Sequence, residues 1–283
     1  MAALNAREGL AVELAVEELE IELLLEAVFQ RYGFDFRDYE RAAVRHKLHA
    51  VMAASELATV STLQERVLHE PGAASRLLRA LSVAPSALFD DPEHTRLLRN
   101  VLGTSLRASP LPKVWLPECA GIGQAWTLAI VLAEEDLYAR TEIHATLAND
   151  ELVAEMREAS LPYDELAALQ ENYAQSGGNG NLTEYFEVNN GQASLLPRLK
   201  SRITWSEYNL VTDASFNEFN AIICRRALLD FGPVLRQRAL RLFHDSLARF
   251  GVLGLDCELP ASDSLAENYQ PIFPNLPWYK RIG

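Results

Sequence analysis

Apolar residues recur every three to four positions along the first third of the chain, which is the spacing of one buried helix face. The pattern predicts helices over residues 7–31, 38–52, 62–70 and 73–81, the first of them with a glutamate-rich opposite face. Pro85 and Pro92 then interrupt the periodicity. We therefore predict a small helical domain over residues 1–82 and a linker over residues 83–94.

From about residue 95 onward, short apolar runs alternate with helical stretches. Strands are predicted at residues 113–116, 142–146, 203–208, 219–224 and 252–257, and helices at 95–102, 125–135, 150–159, 166–173 and 232–250. Strand–helix alternation is typical of an α/β domain with a parallel sheet and right-handed crossovers. The pattern thus predicts a second domain over residues 95–283.

Three further features refine this α/β domain. The run 219–224 is the most apolar and is predicted to be a central strand. Gly251 is predicted to cap the helix before it, and residues 269–280 are predicted to form a paired edge of the same sheet. A small inserted loop and β region is predicted near residues 176–202, with a hairpin turn at Asn189, Asn190 and Gly191.

The stretch from Val114 to Ala133 combines an apolar strand, a turn with Gly121 and Gly123, and a helix-period run. In α/β proteins this arrangement presents backbone N–H groups at a helix N-terminus to a ligand. The same glycines also occur where a tight turn is simply needed. The pattern leaves both interpretations open.

Composition narrows the class of protein. The net charge of −13 argues against general affinity for nucleic acid or an anionic membrane. The three cysteines have no close spacing, which predicts a reducing compartment, and no ligand set for a metal is predicted. Apolar runs are too short for membrane insertion, and glutamates interrupt the first 27 residues. We expect a cytoplasmic protein.

One basic strip stands out in this acidic chain, on the predicted helix over residues 38–52. It contains Arg41, Arg45 and Lys47. A solvated helix face is one interpretation, and a surface that docks an acidic ligand or protein partner is the other. We list these three residues as candidate partner-binding residues.

Several segments, in this order along the chain, resemble the chemotaxis receptor methyltransferases, the CheR family. They are QRYGFDFRDYERAAVRHKLHAVM (30–52), LSVAPSALFDDPEH (81–94), the turn after residue 116, ITWSEYNLV (203–211) and FNAIICRRALLDF (219–231). The resemblance implies a small N-terminal helical domain and a doubly wound, Rossmann-like methyltransferase domain with a mostly parallel sheet. It also implies S-adenosylmethionine or S-adenosylhomocysteine as cofactor, and a chemoreceptor or another signalling protein as partner.

The resemblance places cofactor-binding residues at the carboxyl ends of the predicted strands. The candidates are Glu118, Cys119, Gly121, Gly123, Leu147, Asn149, Asn209, Leu210, Arg225 and Arg226.

Several positions of the family motifs, in the cofactor-binding turns and in the linker, carry other residue types in this chain. Ile122 stands where a glycine is expected, Gly123 where a carboxylate is expected, and Leu147 where an aspartate should accept the ribose hydroxyls. Ser86 falls near a threonine position, Asp90 takes the place of an arginine, Arg226 that of an asparagine and Asp230 that of a tyrosine. No catalytic residue is therefore assigned.

Jointly, these changes favour a pocket with weak or absent cofactor binding. The first hypothesis is a CheR-like protein of bacterial signalling whose methyl transfer is lost or weak and which acts as a ligand-binding or protein-docking regulator. The alternative is an active S-adenosylmethionine-dependent protein-glutamate O-methyltransferase acting on chemoreceptors. In that case Asn149 or Asp150 would hold the ribose. The altered positions favour a protein that is not an active enzyme without excluding one, and the sequence does not specify an oligomeric state.

Overall fold

The computed structural model describes residues 2–119, 121–260 and 263–283, with side chains described from residue 14 onward. Two compact units divide the chain. The first comprises the chain up to Ser82 together with the returning segment Asp230–Arg236. The second comprises Val83–Leu229 and Gln237–Gly283.

The first unit is built from helices. They are α1 (Ala2–Tyr32), α2 (Arg41–Ala54), α3 (Val60–His69) and α4 (Ala73–Leu81). Apolar residues from each helix meet in one core, represented by Leu24, Leu48, Val67 and Leu77, which are fully or almost fully buried. The apolar face of each helix is therefore what holds this unit together.

A seven-stranded sheet organises the second unit, in the order β6-β2-β1-β7-β8-β10-β9. The strands are β1 (Lys113–Leu116), β2 (Glu142–Leu147), β6 (Ile203–Glu207), β7 (Phe219–Ile223), β8 (Leu247–Gly254), β9 (Tyr269–Pro271) and β10 (Trp278–Arg281). Pairs from β6 through β8 are parallel, whereas β10 pairs antiparallel with both β8 and β9.

The remaining elements surround this sheet or form an insertion. The helices are α5 (Pro92–Ser105), α6 (Ile122–Glu134), α7 (Asp150–Glu158), α8 (Tyr163–Ala168), α9 (Gln170–Gln175), α10 (Pro197–Lys200), α11 (Ala227–Asp230) and α12 (Pro233–Ser246). A separate three-stranded sheet contains β3 (Leu161–Pro162), β5 (Gln192–Leu195) and β4 (Phe186–Asn189), in that order.

The predicted hairpin turn is confirmed. Strands β4 and β5 pair antiparallel across Asn190 and Gly191, whose φ angles are 51° and 75°. Positive φ at both central residues is what a two-residue type I′ turn requires, and Asn-Gly supplies it at low cost. This hairpin is the inserted β region.

The predicted α/β class is confirmed, as is the central place of residues 219–224, since β7 is the fourth of the seven strands. The predicted helix over residues 166–173 is instead two short helices, α8 and α9. The prediction that Gly251 caps a helix is wrong. Gly251 lies inside β8, where a Cβ atom would stand 2.8 Å from the Ala248 carbonyl oxygen. The backbone contact at the β7–β8 register shift selects this glycine.

Among the helices that the structure describes, none combines the length and apolar character needed to cross a bilayer.

Candidate functional site

The turn after β1 is shaped by the chain segment that precedes α5. Gly121, at the start of α6, has φ 72°, and a Cβ atom there would approach the Pro85 side chain to 3.1 Å. At Gly123 a Cβ atom would lie 2.1 Å from the Ser86 carbonyl oxygen. Residues 85–87 therefore lie directly against the first turn of α6. The carboxylate that the family resemblance implies at Gly123 has no room there.

The residues just before this turn are buried. Glu118 has a positive φ of 48° and is 7% exposed. Cys119 is fully buried, and its N–H donates to the Thr146 carbonyl at 2.9 Å. Burial strongly raises the pKa of the Cys119 thiol, so the side chain stays protonated and is a packing residue.

The end of β2 offers no acceptor of the expected kind. Leu147 is 4% exposed and belongs to the core of the second unit. The Asn149 side-chain oxygen accepts from the Glu151 N–H at 2.7 Å and caps α7. Two carboxylates lie at this strand end: Glu207, the register partner of Leu147 on β6, and Asp150, and they hydrogen-bond to each other. Burial, and then the Asp150 charge, raise the pKa of Glu207.

The loop after β6 is folded on itself. The Asn209 N–H donates to an Asp213 carboxylate oxygen at 2.9 Å, and the Asn209 side-chain oxygen accepts from the Val211 N–H at 2.8 Å. Leu210 is 1% exposed. The polar groups of Asn209 thus shape a turn of the Asx type.

An ion-pair cluster occupies the carboxyl end of β7. The Asp90 carboxylate lies between two guanidinium groups, 3.3 Å from Arg225 and 2.6 Å from Arg226. Arg225 also pairs with Asp91 at 3.2 Å and Asp256 at 3.6 Å. We call Asp90, Asp91, Arg225, Arg226 and Asp256 the aspartate–arginine cluster. Its three carboxylates leave neither guanidinium without a counter-charge.

Backbone contacts hold this cluster in place. Arg226 has φ 70°, and its N–H donates to the Asp256 carboxylate. The Arg225 side chain is only 16% exposed. A positive φ at a non-glycine residue carries strain, which the surrounding bonds must overcome.

Beside the cluster is a cavity of about 20 Å³, bounded in part by Asp90, His94, Gln124, Thr127 and Arg225. Space of this size holds about one water molecule. Burial, followed by the Arg225 charge and against the opposing effect of Asp91, lowers the pKa of His94 to about 4. The Gln124 Nε2 atom is buried and, within the described residues, has no hydrogen-bond partner.

Sequence reasoning missed His94, Gln124, Asp91 and Asp256. Asp256 could have been found, because it lies at the carboxyl end of the strand predicted over residues 252–257, where α/β proteins place ligand-binding side chains. Nothing in the local pattern distinguishes His94, which lies within the first turns of an ordinary amphipathic helix.

The structure distributes the remaining predicted residues over the two units. In the first unit, Arg41 and Arg45 each pair with Glu18 at 2.7 Å. Lys47 pairs with Asp230 at 2.6 Å and donates to two backbone carbonyls at the end of α4. Asp230 thus stabilises its own unit. Ser86, in the second unit, approaches Gly123 through its carbonyl oxygen rather than its hydroxyl.

Two family models match the chain. The CheR methyltransferase S-adenosylmethionine-binding domain covers residues 85–266, and the CheR methyltransferase all-alpha domain covers residues 19–82. The fold and these matches define a methyltransferase-fold protein of the S-adenosylmethionine-binding type. More narrowly, the chain belongs to the CheR methyltransferase family.

Curated relatives agree. The chain is 36% identical to the putative methyltransferase Cher3 of Pseudomonas putida, over 84% of this chain and 87% of the relative. It is 22% identical to the chemotaxis protein methyltransferase Cher2 of the same organism, over 81% of this chain and 85% of the relative.

Among solved structures, the glycopeptide N-methyltransferase MtfA matches with 15% identity and a TM-score of 0.36, over 68% of this chain and 63% of that chain.

Two positions at the end of β2 lack the free hydrogen-bond acceptor that the family resemblance implies for the ribose. Leu147 cannot accept a hydrogen bond from the ribose, and the Asn149 oxygen already caps a helix.

Proposed function

We propose that this protein is a CheR-family signalling protein in which methyl transfer is weak or lost, and that it acts as a ligand-binding or protein-docking regulator in the cytoplasm. The observation that carries the proposal is the position of Asp90 between Arg225 and Arg226. The family resemblance implies an arginine at Asp90 and an asparagine at Arg226. Here position 90 carries an aspartate instead of that arginine, position 226 carries an arginine instead of that asparagine, and the two side chains pair with each other.

This exchange changes what an acceptor glutamate would meet. An arginine at position 90 would attract the side chain of a glutamate substrate, whereas the Asp90 carboxylate repels it. Methyl transfer depends on holding the acceptor carboxylate in line with the methyl group, because little acid–base assistance is required. The aspartate–arginine cluster therefore opposes the positioning on which the reaction depends.

Leu147 supports the same proposal from the cofactor side. Leaving ribose hydroxyls without an acceptor in a closed pocket costs about 1–3 kcal/mol for each hydroxyl. At about 1.4 kcal/mol per tenfold change in Kd, this single substitution weakens cofactor binding roughly ten- to hundredfold.

Isothermal titration with S-adenosylhomocysteine tests the proposal directly. We expect no saturable heat at millimolar ligand for the natural chain, and a gain of affinity for the Ile122→Gly, Leu147→Asp double variant. Leu147→Ala with Ile122→Gly is the matched control, because it opens the same space without a hydrogen-bond acceptor. Micromolar binding by the natural chain would overturn the proposal.

The second candidate function is active methyl transfer to a glutamate side chain of a chemoreceptor. One observation favours it: Glu207 is the register partner of Leu147 on β6, and Asp150 begins α7 three residues after Leu147, so both carboxylates follow the strand ends. A filter assay for tritiated methyl transfer from S-adenosylmethionine to a chemoreceptor cytoplasmic fragment distinguishes the two. Transfer that Asp150→Asn abolishes would support this candidate against the first.

Protein docking in the proposed role would involve the basic strip of α2. Arg41 and Arg45 keep about a third of their side chains exposed, although Glu18 neutralises both. Lys47 is 20% exposed and is held by Asp230 and two carbonyls, so it contributes chiefly to the unit itself. An Arg41→Glu, Arg45→Glu variant should lose binding to a chemoreceptor fragment, while an Arg66→Glu variant on α3 should retain it.

A further inference from the structure

A second concave surface lies where the parallel strands of the main sheet begin, opposite the carboxyl ends that carry the aspartate–arginine cluster. This cleft, of about 460 Å³, is formed by the segment after α6 and by α10 with the residues that follow it. The Ile143 N–H donates to the Arg202 carbonyl at 2.9 Å, so the cleft adjoins the first residues of β2 and β6. Because these strands run parallel to β1, the cleft is separated from the β1 turn by the length of the sheet.

Two arginines, Arg198 and Arg202, line the cleft. Within the described part of the chain, neither side chain makes an ion pair or donates a hydrogen bond. Neighbouring arginines behave differently: Arg140 donates to the Ser109 carbonyl at 3.0 Å, and Arg107 lies 3.5 Å from the Glu135 carboxylate. Two arginines four residues apart, neither of them in an ion pair with a described residue, therefore line one cleft of an acidic protein.

The wall that carries these arginines is held firmly. The Tyr138 hydroxyl donates to the Leu199 carbonyl and accepts from the Arg202 N–H at 3.2 Å. Leu199 is 1% exposed, and Tyr138 is 8% exposed. The backbone that positions both guanidinium groups is thus fixed against the residues after α6, which reduces the ordering cost of binding.

The geometry points to a small organic phosphate as the ligand of this cleft, with its phosphate group on Arg198 and Arg202. A guanidinium group matches phosphate oxygens with two parallel N–H donors. Ala133, Ala139 and Leu199 provide an apolar wall for the organic part of the ligand. The cleft volume falls in the range of roughly 300–1,000 Å³ that is typical of small-molecule sites.

The remaining charges narrow the ligand class. Asp136, on the same cleft, can accept hydrogen bonds from ligand hydroxyl groups. The net charge of −13 opposes an extended polyanion such as nucleic acid, whose binding requires a broad basic surface. A hydroxyl-bearing phosphate ester, such as a nucleotide or sugar phosphate, satisfies all of these groups at once.

Titration calorimetry with adenosine 5′-monophosphate and ribose 5-phosphate tests this assignment, with adenosine and inorganic phosphate as partial ligands. We expect saturable binding of at least one phosphate ester, and at least tenfold weaker binding of both partial ligands. An Arg198→Gln, Arg202→Gln variant should bind at least tenfold more weakly. Arg96→Gln is the control, because it removes an exposed arginine of α5 that does not line the cleft.

Three outcomes would overturn the assignment. One is the absence of saturable binding by either ester at millimolar concentration. Another is inorganic phosphate binding as tightly as the esters, which would leave the apolar wall without a role. The third is an equal loss in Arg96→Gln and in the double variant, which would indicate a general effect of net charge.

Discussion

Arginines occur both at the carboxyl edge of the main sheet, where the parallel strands end, and at its amino edge, where they begin. The two edges use arginine in opposite ways. At the carboxyl edge, Arg225 and Arg226 are enclosed by three aspartates and cannot reach an incoming anion without breaking existing pairs. At the amino edge, Arg198 and Arg202 face a cleft with no ion-pair partner among the described residues. The number of arginines is the same, but their counter-charges differ. An arginine indicates an anion site only when the fold leaves its guanidinium group without a carboxylate.

This contrast separates stability from recognition. Substitutions at the carboxyl edge are expected to change the free energy of unfolding, because the charges there neutralise one another inside the fold. Substitutions at the amino edge are expected to change ligand binding and to leave unfolding nearly unaffected.

Arg225→Gln should destabilise the protein most, by about 3–4 kcal/mol, because it leaves the largely buried Asp256 carboxylate without its ion-pair partner and removes one of the two guanidinium groups that hold Asp90. Urea denaturation followed by tryptophan fluorescence measures this loss. Arg225→Lys keeps the charge without the planar fork and should lose about half as much. If Arg225→Gln matched the natural chain in stability, the cluster would not be a structural element.

Gly123→Ala should destabilise by about 3 kcal/mol, because the new methyl group would collide with the Ser86 backbone. The same urea titration gives the value. Gly103→Ala on α5 is the control, since its Cβ would meet only the flexible Glu135 side chain at 3.3 Å. It should be neutral or stabilising, because alanine favours helix over glycine by about 1 kcal/mol. Equal effects of both substitutions would contradict the close approach of residues 85–87 to the turn.

His94 should make stability depend on pH. Its pKa is about 4 in the folded protein against an ordinary value of 6.5, so the unfolded chain binds the proton more readily. The contribution is complete above pH 6.5 and is lost as the pH falls from 6.5 toward 4. Between pH 7.5 and 4.5, we expect His94 to account for a loss of about 2 kcal/mol.

Comparison with a His94→Gln variant isolates this contribution, since the other groups that titrate in the same range remain. Denaturation curves at several pH values should show a smaller acid loss for the variant. Identical pH dependence of the two proteins would indicate that His94 is accessible to water in the folded state.

The Arg198→Gln, Arg202→Gln variant should have the smallest effect on folding, within about 0.5 kcal/mol of the natural chain, because no pair or hydrogen bond is broken. Thermal and urea unfolding check this. A loss larger than 1 kcal/mol would show that these arginines stabilise the fold, and the contrast between the two edges would not hold.

Much of the architecture was accessible from the sequence because its signals are local. The apolar run at residues 219–224 predicted a central strand, and Asn190 with Gly191 predicted the hairpin turn; both are confirmed. The prediction for Gly251 was wrong because it also rested on a local signal. A glycine after a helical pattern usually caps it, whereas here a contact with the Ala248 carbonyl inside β8 requires the absence of a side chain.

The candidate site was less accessible. The sequence indicated that Leu147, Asp90 and Arg226 depart from the family pattern, yet it could not show that Asp90 and Arg226 pair with each other at 2.6 Å. The sequence likewise indicates that Gly123 replaces a carboxylate of the family pattern. It could not show that the Ser86 carbonyl oxygen occupies the space that a side chain would need.

The sequence alone therefore determined the class of the fold, the order of its elements and the family, because hydrophobic periodicity and short motifs are encoded by neighbouring residues. Only the tertiary structure decided which charges remain available to a ligand. Asp90 and Arg226 meet because β7 lies beside β1 and residues 85–87 pack against the turn that follows β1. Arg198 and Arg202 remain available because, among the described residues, neither forms an ion pair with a carboxylate. Charge neutralisation depends on distances of a few ångströms between distant parts of the chain, and these are set by packing rather than by local sequence.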